Sequence, residues 1–95
     1  MVPAVMKVLP VDDFVLSIFF DNGEYGRLDM TDSLDFGVFN RLKDPDAFRR
    51  VRVSFDTVEW DVGVDLDPEF VYAKCDIAGT VSSSERFTEE ITDSH

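Results

Sequence analysis

Apolar and polar residues alternate through the first thirty positions in a pattern that writes strands. Phe14, Leu16, Ile18 and Phe20 share one parity, and Val15 and Phe19 make the other parity partly apolar. A run of that kind predicts a strand covered on both sides, hence central in its sheet. Asn22-Gly23 breaks the run with the two residues that best tolerate positive φ, which predicts a type I′ hairpin turn. Tyr25 to Met30 then resumes as a more polar third strand, expected nearer an edge. Upstream, Val5 to Leu9 forms a short first strand that Pro10 is expected to stop.

After Met30 the period changes. Val38, Phe39 and Leu42 recur at helical spacing within Gly37 to Lys43, predicting a short amphipathic helix. Asp44-Pro45 reads as a cap followed by proline at the first helical position, so a single-turn helix is expected over Pro45 to Arg49. Alternation returns at Val51, Val53 and Phe55 and again at Val58, Trp60 and Val62, predicting two half-buried strands joined through Phe55 to Val58. Asp67-Pro68-Glu69 opens another capped helix, running to about Cys75 with Phe70 and Val71 turned inward.

The order βββ-αα-ββ-α predicts an α+β fold, with an antiparallel sheet of about five strands and short helices packed on it. Beyond Asp76 the chain turns to Gly, Thr, Ser and Glu, so residues 1–76 are expected to form the single domain and 77–95 a polar, flexible tail. Within that tail Ser82-Ser-Ser-Glu85 matches a capping box, and Phe87 and Ile91 lie four apart, the spacing of a short helix that could form on contact with a partner.

Composition sharpens this picture. At 95 residues, with 44% hydrophobic residues and nine phenylalanines, the chain suits one compact core. Twenty acidic against nine basic residues leave a formal charge of -11, which repels nucleic-acid phosphates and anionic membranes and favours a basic partner. No apolar run approaches the roughly 18 residues of a membrane span. The lone Cys75 cannot close an intramolecular disulfide, and Met1 to Lys7 lacks the basic start and apolar core of a signal peptide. A cytoplasmic location is the expectation.

Candidate chemistry is sparse. The single histidine is His95, in the polar tail, so a histidine-based triad is not expected. Cys75, where the last helix should end, reads as a small buried hydrophobe. Asp61, Asp65, Asp67 and Glu69 place four carboxylates within nine residues, suitable in kind for a hard cation. Their spacing does not match the calcium loop, however, and helix capping by Asp67 and solvation explain them. Arg41, Lys43, Arg49, Arg50 and Arg52 put five of the nine basic residues within twelve positions. Cations near helix ends complement the dipole and the adjacent Asp44 and Asp46. On a functional view, Arg50 and Arg52 project together from the outer face of one strand and could grip a partner carboxylate or phosphate, with Arg49 beside them. Trp60 and most phenylalanines are expected in the core, whereas Phe19, Tyr25 and Tyr72 could anchor a protein partner.

Together these pieces resemble a family of small bacterial proteins called domain of unknown function 2442, over residues about 4–75. The resemblance rests on Phe20-Asp-Asn-Gly-Glu24 with Asp29, on Gly37-Val-Phe39, Leu42 and Asp44-Pro-Asp-Ala-Phe48, on Val51, Val53 and Val58-Glu-Trp60, and on Gly63-Val-Asp-Leu-Asp-Pro-Glu69 with Tyr72. It implies an antiparallel sheet with helices packed on it and no established activity. Some members lie beside a second small protein in a suspected toxin and antitoxin arrangement. Others carry a DNA-binding helix-turn-helix after this domain, for which the residues beyond 76 are too few. The expectation is therefore a non-enzymatic interaction module, antitoxin-like or regulatory, without a cofactor. It would bind a protein partner, a basic small protein or itself, and neither nucleic acid nor membrane. The alternative is a small-ligand or anion sensor using Arg50 or Arg52.

Overall fold

The computed structural model describes residues 1–81. It is α+β, with a four-stranded antiparallel sheet in the order β1-β2-β3-β7, a three-stranded antiparallel sheet β4-β5-β6, and short helices against them. The strands are β1 (Val5–Asp12), β2 (Val15–Phe20), β3 (Glu24–Asp29), β4 (Arg52–Ser54), β5 (Thr57–Trp60), β6 (Val64–Asp65) and β7 (Asp76–Thr80). The α-helices are α1 (Pro45–Arg49) and α2 (Pro68–Lys74), and 3₁₀ segments cover Thr31–Ser33 and Gly37–Lys43.

β2 is internal to its sheet as expected, but only one of its faces is fully buried, and Val15, Ser17 and Phe19 on the other are half-buried. Leu16, Ile18 and Phe20 are fully buried with Leu28 of β3, and they join Val71 and Cys75 of the α2 end, Phe48 of α1, Leu42, Val58 and Trp60 in one core. The hairpin after Phe20 departs from the expected type I′ turn. Gly23 alone is left-handed (φ 93°), its N–H donates to the Phe20 carbonyl at 3.0 Å, and Asp21 to Gly23 form a three-residue loop. Asn22 keeps negative φ, and its side-chain Oδ1 instead accepts from the Glu24 N–H at 3.0 Å.

Pro10 does not stop β1. It sits opposite Leu16, which an edge strand tolerates, and the register slips on either side leave Met6 and Val11 out of the pairing. The third strand is not at an edge either. β7 pairs with it, so the expected tail boundary at 76 is corrected: residues 76–80 belong to the sheet. Gly26 makes this possible, since a Cβ there would lie 2.2 Å from the Asp76 carbonyl oxygen. The capping box at Ser82 and the pair Phe87 and Ile91 lie outside the described residues.

The Asp-Pro caps form as expected. Asp44 accepts from the Asp46 N–H at 3.0 Å and Asp67 from the Glu69 N–H at 2.9 Å, with Pro45 and Pro68 opening the helices. Gly37 to Lys43 is 3₁₀ rather than α. At three residues per turn Phe39 and Leu42 eclipse and face inward, while Val38 turns outward. The strand expected to reach Val62 ends at Trp60, where Gly63 (φ 85°) donates to the Trp60 carbonyl and returns the chain as β6.

The two sheets meet beside β1, where the Val5 N–H donates to the Asp56 carbonyl at 3.0 Å. Trp60 locks the helical layer to the smaller sheet, its Nε1–H donating to the Phe48 carbonyl at 2.8 Å while its ring packs on that of Phe48.

Candidate functional site

The basic strip is already occupied. Arg50 is not on a strand but at the end of α1. Its Nε donates to both carboxylate oxygens of Asp61 (3.0 and 3.3 Å), and its Nη1 donates to the Asp46 carbonyl at 3.2 Å. Arg52 faces Glu59 across the β4–β5 ladder and donates to Oε2 from Nη2 (2.6 Å) and Nε (3.2 Å). Arg49 pairs with Asp46 one helical turn away. Lys43 pairs with Asp35 at 2.8 Å, and Arg41 donates to the Val62 carbonyl at 3.0 Å. Arg50 and Arg52 thus do not project together from one strand, and each guanidinium fork already holds a carboxylate of its own chain.

The aromatic candidates divide. Tyr72 on α2 is structural: its hydroxyl donates to Glu24 Oε1 at 2.6 Å, and its ring meets Phe20 edge-on at 5.2 Å. The hydrogen bond from Tyr72, with help from Asn22, holds the Glu24 carboxyl below its ordinary range and in turn raises the Tyr72 phenol. Tyr25 lies on the opposite face of the four-stranded sheet, stacked on Phe19 with centroids 5.7 Å apart. Lys7 reaches over the Phe19 ring, 5.8 Å from its centroid. The register places Leu9, Ser17 and Arg27 on this same outer face. None of these side chains belongs to the core that the helices cover.

The acidic run does not converge. Asp61 is held by Arg50, Asp67 caps α2, and Asp65 lies exposed at the end of β6. Among the described residues no three acidic, cysteine or histidine side chains assemble as a metal site. Cys75 is buried, and burial with the nearby Asp76 and Glu24 pushes its thiol up to about 11.

A family model described as protein of unknown function (DUF2442) matches residues 5–76, well over half of the chain. This chain belongs to that family. The match ends where β7 begins, so this DUF2442 protein completes its larger sheet just past the matched segment. No curated protein and no solved structure matches it.

Two exposed aromatics escaped the sequence reading, which counted most phenylalanines as core. Phe36 is 69% exposed and Phe55 98%. Phe55 sits in the β4–β5 turn with φ 56°, the left-handed region that glycine or asparagine usually fills. The one available signal was a large apolar residue in a turn that contains no glycine.

Proposed function

We propose that this DUF2442 protein is a non-enzymatic interaction module that binds a protein partner through apolar surface left uncovered by its own fold. The observation that carries this reading is the outer face of the four-stranded sheet, where Phe19 and Tyr25 stack beside Leu9 and Lys7, outside the core that the described helices cover. Stacked aromatics next to an exposed leucine are the composition that protein interfaces favour, and their rigid rings lose little entropy when covered. The anion-sensor reading draws less support, because Arg50 and Arg52 do not project together toward one ligand and each already pairs with a carboxylate, Asp61 or Glu59.

The acidic surface favours a basic small protein, as in an antitoxin-like or regulatory pair. Affinity capture of the full chain expressed at its native level, followed by mass determination of the complex, tests the reading. A stoichiometric companion lost on Leu9→Lys with Phe19→Ser is the expected result. A chain that stays monomeric and alone would overturn it.

A further inference from the structure

The β4–β5 turn presents a side chain that the fold itself does not use. Phe55 is 98% exposed and packs with no part of the core, yet it occupies a left-handed backbone position that glycine would fill without strain. The turn is held firmly on both sides. Ser54 pairs with Thr57 to close it, the Asp56 carbonyl accepts from the Val5 N–H, and the Thr57 hydroxyl donates to the Leu66 carbonyl at 2.7 Å. The ring is therefore carried on a fixed base.

Beside it runs an open groove of about 620 Å³, with Leu66 and Pro68 among its apolar lining. Its charged lining among the described residues consists of Asp56, Glu59, Asp65 and Asp67, with no basic side chain. Glu59 already answers Arg52, and Asp67 caps α2, but Asp56 and Asp65 enter no salt bridge among the described residues. An aromatic side chain at the rim and unbalanced carboxylates along the floor are complementary to a segment that carries both a cation and an apolar side chain. Nucleic acid, an anionic membrane and a second copy of this chain at -11 would each bring negative charge to negative charge.

We infer that the Ser54 to Thr57 turn and its groove dock a basic segment of a partner protein, with Phe55 as the anchor and Asp56 and Asp65 as the charge contacts. This inference rests on the protein-partner reading and adds a second surface to it, distinct from the outer sheet face. The acidic surface would speed encounter, and the aromatic anchor would slow release.

Panning a displayed library of random twelve-residue peptides against the full chain at physiological salt tests it. The expected winners combine lysine or arginine with a large apolar residue. They bind Phe55→Gly at least tenfold more weakly, bind Asp56→Asn with Asp65→Asn several-fold more weakly and with a shallower salt dependence, and bind Phe19→Ser as well as the parent. Phe55→Gly removes the ring while relieving the backbone, so its melting temperature should hold or rise and lost binding cannot be put down to unfolding. Winners that are neutral or acidic, winners indifferent to Phe55→Gly, or no winners at all would overturn the docking inference. Should the native partner be captured equally by Phe55→Gly, this surface is excluded while the partner-binding reading stands.

Discussion

Individual side chains tie distant parts of this chain together, and their titration reports on those ties. The Tyr72 hydroxyl reaches Glu24 across 48 residues, holding the end of α2 to the β2–β3 hairpin. Because the folded Glu24 carboxyl titrates lower than in the unfolded chain, its contribution is present above pH about 4.5 and is lost as pH falls through the folded value. Tyr72→Phe should therefore lower the melting temperature at pH 6 to 8, and the gap from the parent should narrow as pH falls below about 4.5 and close once it is below the folded value. A scan of melting temperature against pH for both proteins checks this; a gap that does not narrow with acidification would assign the loss to packing instead. Cys75 runs the other way. Its folded thiol is pushed up to about 11, so its stabilising term is intact below about pH 9 and is lost as pH rises through 11. At pH 8 the native thiol should react with a disulfide reagent far more slowly than the unfolded chain does, which a stopped-flow trace in and out of denaturant would show.

At the scale of elements, β7 is the strand whose place depends on a single atom. The backbone of β7 passes so close to Gly26 that a methyl group there must displace it. Gly26→Ala should destabilise the fold by about 1–3 kcal/mol, the usual cost of forcing extra volume into a packed site. Hydrogen exchange should quicken selectively at the amides of β7 and at Val81, whose N–H donates to the Gly23 carbonyl. Uniform loss of protection would mean that β7 is not a separable element. The sequence reading missed this strand for a physical reason: Asp76 to Thr80 has little hydrophobic signature of its own, and its partner lies fifty residues away. By contrast, the Asp44-Pro45 and Asp67-Pro68 helix starts were legible because a cap is a local hydrogen bond. β2 was legible because its alternation matches its burial residue by residue. The basic strip was legible as a cluster, but where its cations point was not, since Asp61 and Glu59 become neighbours of Arg50 and Arg52 only once β5 has paired. The spacing of Phe55 set it on the apolar parity of Val51 and Val53, at the end of a half-buried strand, and its exposure beyond β4 shows only in three dimensions.

For the whole molecule, the balance between paired and unpaired charge decides how it meets solvent. Among the described residues four salt bridges engage four of the basic side chains, and all are substantially exposed, so each contributes about 0–1 kcal/mol. Against them stands the self-repulsion of a chain at -11. Salt screens both terms, but short ion pairs keep more of their attraction than distant like charges keep of their repulsion, since the Debye length falls to about 3 Å only at 1 M. Raising sodium chloride from about 20 mM to 500 mM should therefore raise the melting temperature measured by circular dichroism. The same increase should weaken any complex with a basic partner, because the unscreened charge that strains the free chain is what draws such a partner in. Opposite salt trends for stability and affinity, measured on one preparation, are what docking of a basic partner in the acidic groove requires. A complex indifferent to salt would move the recognition away from the acidic groove and onto the apolar sheet face alone.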